Sequence, residues 1–229
     1  MKNILLIFTL ASFLFLVSCG SNASEGNVSS QEAIQKNTSS DNIADTVHES
    51  VFSEIIDIMH APMMKQPFQK TSNIDIDFLF NMIPHHQGAI LSSKRLLETS
   101  KNADVTDLAN NIIKAQEFEV TEFTALIKEL ETKNTDYSAI DTAKIGDDME
   151  NIMNKMMTDM SSIQVTGDND IDFLQGMIPH HQGAVDAAEK ILESTKDEKI
   201  KEIANRIIID QEKEINYMNE LINNLSANN

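Results

Sequence analysis

The chain has 229 residues, with 18 Lys plus Arg against 36 Asp plus Glu for a formal net charge of −18, and carries 7 Gly, 4 Pro and 1 Cys. That length supports one core, or two halves sharing one, and the acidity repels phosphate backbones and anionic headgroups, which excludes nucleic acid as a partner. The single cysteine excludes an internal disulfide and thiolate-rich metal sites, and the abundance of Leu, Ile, Met, Ala, Glu and Lys predicts an all-α fold.

Residues 1–18 join one lysine, Lys2, to an apolar run from Ile4 to Val17 and stop at Leu16-Val17-Ser18-Cys19. The run is short for a membrane span of about 20 residues and ends at a small-small-Cys junction, so it reads as a lipoprotein signal peptide with lipidation at Cys19. The expected location is the cell envelope, with membrane contact through the lipid anchor only. Residues 19–42, rich in Ser, Asn and Gly, read as a flexible tether.

Residues 43–229 read as a duplicated helical domain with repeats over about 43–135 and 139–229. DFLFNMIPHHQGAI at 77–90 and DFLQGMIPHHQGAV at 172–185 agree in eleven of fourteen positions. LANNIIKAQEFEV at 108–120 and IANRIIIDQEKEI at 203–215 stand at the same offset of 95. Each repeat is predicted to hold a lead helix, a His-His helix and a return helix. Phe78, Met82, Ala89, Leu96 and Leu97 recur at helical spacing, as do Leu108, Ile112, Gln116, Phe123, Leu126 and Leu130. Residues 141–162 form the second lead helix.

At about 100° per residue, His86 falls near the middle of its apolar stripe and His85 at the edge; Gln116 is central on the return helix, with Glu119 at its edge. A turn near residues 99–104 predicts His86 opposite Gln116 and His85 opposite Glu119. Around Lys196 it predicts His181 opposite Gln211 and His180 opposite Glu214. Pro84 and Pro179 either interrupt their helices, freeing the carbonyls of Phe80 and Gln175, or occupy the first helical position.

The Asp-Phe-Leu-x-x-Met-Ile-Pro-His-His-Gln-Gly-Ala motif, with Gln-x-x-Glu about 30 residues later, resembles the domain of unknown function 305 family of secreted bacterial proteins, over roughly residues 74–229. The resemblance implies a ferritin-like four-helix bundle of two similar hairpins, with the second lead helix as crossover, and an association with copper in some members. A methionine usual after the His pair is replaced by Ser92 and Ala187, and one usual in the return helix survives as Met218 but is replaced by Phe123.

Three functions compete on these residues. A ferritin-like metal-dependent oxidase needs Glu-x-x-His ligands, which neither repeat contains; Asp57-Ile-Met-His60 is the nearest approach. A helical scaffold for another envelope protein needs no metal. A Cu(I) site suits imidazole and thioether donors better than iron or zinc does. Its candidate ligands are His85, His86, His180 and His181 with Met82 and Met177, each one turn before a histidine, and His60, Met59, Met63 and Met64 at the end of the first lead helix. Gln116, Glu119, Gln211 and Glu214 are the expected outer partners that orient the rings. Met149, Met153, Met156 and Met160 equally suit an ordinary buried stripe.

Overall fold

The computed structural model describes residues 54–133 and 135–227, so the signal segment, Cys19 and the tether lie outside the described residues. Helix α1 covers residues 54–65. It is followed by α2 (Ile74–Leu97), α3 (Ala103–Leu130), α4 (Thr142–Ser161), α5 (Asn169–Leu192) and α6 (Glu198–Ala227). Among the described residues there is no strand, and no helix is long and apolar enough to cross a membrane. The order is the predicted one: α1 and α4 lead, α2 and α5 carry the histidines, and α3 and α6 return.

Side-chain caps set the starts of four helices. Asn73 accepts from the Ile76 amide, Asn102 from Val105, Asp141 from Lys144 and Asp168 from Ile171, each satisfying a first-turn amide that has no helical partner. Both prolines sit inside their helices rather than at the first position. The Phe80 carbonyl, four residues before Pro84, accepts instead from Gln66 Nε2 at 3.0 Å. The hydrogen bond the proline removes is thereby replaced from outside the helix.

The hairpins α2–α3 and α5–α6 pack with opposite ends together. Phe78, Leu79 and Met82 of α2, with Phe123, Leu126 and Leu130 of α3, meet Ala187, Ala188, Ile191, Ile200 and Ile203 near the turn of the second hairpin. Phe173, Leu174, Met177, Met218 and Leu221 in turn meet Leu96, Val105, Leu108, Ala109 and Ile112 near the turn of the first. Neither hairpin could bury its apolar stripe alone, so each completes the core of the other. Met149, Met153, Met156 and Met160 of α4 are buried in these clusters, as their spacing allowed.

The repeated letters outside the His pair have structural work. Asp77 accepts from the Thr71 amide (2.6 Å), the Thr71 hydroxyl and Gln69, while Asp172 accepts from the Thr166 amide (2.8 Å), the Thr166 hydroxyl and the Gly167 amide. Each carboxylate therefore pins the loop that joins its lead helix to its His-His helix. Two residues earlier, Asp75 accepts from Thr195 at 2.6 Å and from the Tyr137 hydroxyl. Asp170 lies by Ser100, whose hydroxyl lowers its carboxyl pKa. Thr195 and Ser100 stand at equivalent places in the two hairpin turns, and Asp75 latches the first hairpin to the turn of the second. Burial raises both carboxyls above the usual range, against the pull of these hydrogen bonds.

The motif glycines admit the lead helices. A Cβ at Gly88 would stand 2.1 Å from the Met59 carbonyl oxygen of α1, and one at Gly183 would stand 2.9 Å from Cγ of Met156 in α4. Met59 and Met156 occupy matching positions in the two repeats, so the same letter does the same packing task twice.

Candidate metal centre

Between the two apolar clusters lies a layer of four histidines, all fully buried. Neighbouring ring centroids are 5.9 Å apart for His85 and His86, 3.7 Å for His85 and His180, and 6.1 Å for His180 and His181. The inner pair, His85 and His180, stacks face to face with 32° between the planes. This corrects the helical-wheel expectation that put His85 at an edge. A wheel sees one helix, and the second hairpin closes over that edge.

The pairing across each hairpin also differs from expectation. His86 Nε2 lies 2.8 Å from Glu119 Oε2, and His181 Nε2 lies 2.7 Å from Glu214 Oε2. His85 Nε2 lies 3.1 Å from the carbonyl oxygen of His180. The glutamates thus serve the outer rings, His86 and His181, not His85 and His180. Gln116 and Gln211 are buried, and their amide oxygens and nitrogens have no partner within the protein. Matching residue numbers about a turn cannot resolve a difference of one helical position, which is 100° of rotation.

These contacts decide the tautomers. A carbonyl or carboxylate oxygen only accepts, so Nε2 carries the hydrogen in His85, His86 and His181. Their Nδ1 atoms are buried and without a protein partner, and both ring nitrogens of His180 are equally unpartnered. Burial, reinforced by the neighbouring rings, holds the His85 and His180 imidazoles well below the usual histidine range. Of the four rings of the layer, His85 and His180 are thus held neutral, and all four keep buried ring nitrogens with no protein partner. Three of them are held through the far nitrogen by a carboxylate or carbonyl, the arrangement by which a protein orients metal-binding histidine.

The remaining candidates divide. Met82 belongs to one apolar cluster and Met177 to the other, so the two thioethers flank the layer from opposite sides. Met59 is fully buried and Met63 partly so, whereas Met64 is 72% exposed. His60 is partly buried, with an Nε2 that is shielded from solvent and unpartnered. Among the described residues, no three His, Cys, Asp or Glu side chains converge closely enough to hold an ion between them.

The two halves are not electrostatically equal. Arg206 Nε stands 3.3 Å from Glu119 Oε1, and its Nη2 binds Glu122. The position matching Arg206 in the first repeat is Asn111, which offers Glu214 no such charge. Burial pushes the Glu119 carboxyl up, but the hydrogen bond from His86 and the charges of His86 and Arg206 outweigh it and hold the carboxyl below the usual value. Arg206→Asn is expected to raise the titration midpoint of Glu119. Carboxyl carbon chemical shifts measured against pH would show it, and an unmoved Glu119 midpoint would rule out this role for Arg206.

The sequence reading passed over Asp75, Asp170, Gly88 and Gly183. Their signal was available, since all four recur at the offset of 95.

Comparison with known proteins adds to this geometry. A family profile described as Domain of unknown function (DUF305) matches residues 75–222. An uncharacterised protein of Acanthamoeba polyphaga mimivirus is 43% identical over 61 residues, 27% of this chain, and the match spans 40% of that relative's length. Among solved structures, CopM in an Ag-bound form obtained by soaking superposes with a TM-score of 0.50 at 26% identity, covering 67% of this chain and 98% of CopM. CopM in a Cu(II)-bound form gives 0.49 at 25% identity, covering 66% and 97%. A DUF305 fragment from Deinococcus radiodurans gives 0.48 at 22% identity, covering 66% and 95%. The profile takes in both hairpins, both His-His motifs and both Gln-x-x-Glu motifs, and on that ground the chain belongs to the Domain of unknown function (DUF305) family.

Proposed function

We propose that the protein binds a soft monovalent cation, Cu(I), in the histidine layer, and that it buffers or delivers copper at the cell envelope. The observation that carries this reading is the set of buried, unpartnered Nδ1 atoms on rings held from behind by Glu119, Glu214 and the His180 carbonyl. Leaving that many polar atoms buried and unpaired costs about 1–3 kcal/mol each, a cost that a bound cation offsets.

The donor set also favours one class of metal. Zinc takes four ligands, or three and a water, and di-iron sites use several carboxylates; no three such side chains converge among the described residues. Imidazole and thioether are donors for Cu(I), which is stable with two or three ligands. CopM, similar in fold, is known in an Ag-bound form, and Ag(I) shares the soft, filled-shell character of Cu(I). Two of His85, His86, His180 and His181 would supply nitrogen, with sulfur from Met82 or Met177 as a third donor.

The test is competition against a Cu(I) chelator, using the full chain in detergent with Cys19→Ser so that no thiol competes. His86→Ala and His181→Ala are each expected to weaken binding by roughly 10–100-fold, the effect of disturbing a metal-binding histidine. Replacing Met59, Met63 and Met64 together by leucine should change it little. Histidine variants that bind as tightly as wild type would refute the site.

The envelope location rests on the lipobox alone. Cys19→Ala is expected to leave an uncleaved, unlipidated precursor, visible by mass spectrometry, and normally processed protein from that variant would overturn the assignment.

A further inference from the structure

The two ends of the histidine layer are closed differently. At one end His86 Nε2 lies 2.8 Å from Glu119 Oε2, and Arg206 Nε reaches the other oxygen, Oε1, at 3.3 Å. At the far end His181 Nε2 lies 2.7 Å from Glu214 Oε2, and among the described residues no lysine or arginine pairs with Glu214. Exposure follows the clamp: the Glu119 side chain is 10% exposed and that of Glu214 22%. Arg206 lines the surface groove between α3 and α6, together with Glu122, Glu129 and Lys199, so a guanidinium rather than the Glu119 carboxylate faces that groove. The packing differs in the same sense. The Phe123 ring lies 5.3 Å from that of His86, whereas the residue matching Phe123 in the second repeat is Met218, an unbranched chain with more freedom to move.

We propose that a soft monovalent cation enters and leaves the histidine layer at the end formed by His181 and Glu214, with Glu214 as a swinging cover, and that Arg206 keeps the end formed by His86 and Glu119 shut. This rests on the soft-cation reading above and gives the ion its route. All four rings are fully buried, so an ion passes only when a side chain moves aside. Swinging Glu214 outward breaks its hydrogen bond to His181, and the freed carboxylate can take a cation from solvent. Swinging Glu119 outward breaks its bonds to both His86 and Arg206, and the guanidinium left at that entrance repels a cation. The repeats supply the means to exchange the two ends. Arg206 matches Asn111 at the offset of 95, and Asn111 is exposed, so Asn111→Arg should place a guanidinium beside Glu214 without disturbing the core.

The experiment uses the full chain carrying Cys19→Ser, in detergent, loaded with Cu(I) and mixed with an excess of a chromophoric Cu(I) chelator. Asn111→Arg is expected to give up the metal about tenfold more slowly than wild type, the factor that one more hydrogen bond to a charged group adds to the barrier for opening. Adding Arg206→Asn should restore part of the rate through the other end. A positive charge that merely weakened binding would speed release, so the sign of the change separates a shut route from a poorer site. The metal-free protein provides an independent readout. Under diethyl pyrocarbonate, followed by peptide mass spectrometry, His181 is expected to be modified before His86, and the order should reverse in the double variant. Release from Asn111→Arg as fast as from wild type, or His86 modified as fast as His181 in wild type, overturns the route. If wild type holds no Cu(I), the broader reading fails by itself, and the order of modification still decides which end opens.

Discussion

Gly88→Ala is expected to destabilise the protein by about 2 kcal/mol, whereas Gly183→Ala should be close to neutral. A methyl group at residue 88 meets the Met59 carbonyl oxygen at 2.1 Å, and that oxygen is backbone inside a helix, which cannot rotate away. Helix α1 must move off by about 1 Å, loosening the contacts of Ile55, Ile56 and Met59 and incurring the upper end of the usual overpacking penalty. The gain from replacing a helical glycine by alanine, about 1 kcal/mol, offsets only part of this. At residue 183 the obstacle is the Met156 side chain, whose rotatable bonds let it yield, so the two terms nearly cancel. Urea denaturation of both variants provides the comparison. Equal losses at the two positions would show that the close approach of α1 is not what requires glycine at 88.

Stability is expected to fall steeply below pH 6.5. His85 and His180 are held neutral in the folded state well below the usual histidine range, while the unfolded chain takes up protons at about pH 6.5. Below that pH the unfolded state binds more protons than the folded one, so acid favours unfolding, and the stabilisation is complete only above it. Each ring approaches a slope of about 1.4 kcal/mol per pH unit from half that value at pH 6.5, so the pair should remove up to about 3 kcal/mol between pH 6.5 and 5. The depressed Glu119 carboxyl acts in a separate, more acid window, since its contribution is lost only as pH drops through its folded value, below the ordinary 4.5. Denaturant unfolding of the metal-free protein at a series of pH values tests this, and His85→Gln with His180→Gln should flatten the dependence. A stability that is flat between pH 7 and 5 would mean that the rings ionise in place.

The fold was legible because it depends on features that repeat along the chain. Period-3.6 apolar stripes, an offset of 95 carried through both His-His and both return segments, and a third stripe at 141–162 are local or pairwise patterns. Burying those stripes leaves few arrangements for two equal hairpins. That the four histidines and the two glutamates would share a layer was readable in the same way.

The assignment of partners within that layer was not. Which of His85 and His86 faces Glu119 turns on about 100° of helix rotation, and this is set by how the second hairpin packs. The stacked His85–His180 pair, the Asp75–Thr195 latch and the Arg206–Glu119 contact all join residues from different repeats. The sequence by itself determined the all-α class, the duplication and the residue types brought to the centre, because periodicity and repetition express the burial each helix needs. Only the tertiary structure decided which nitrogen of each ring is held and which is free, because that depends on hydrogen-bond partners from other helices, whose approach no single segment encodes.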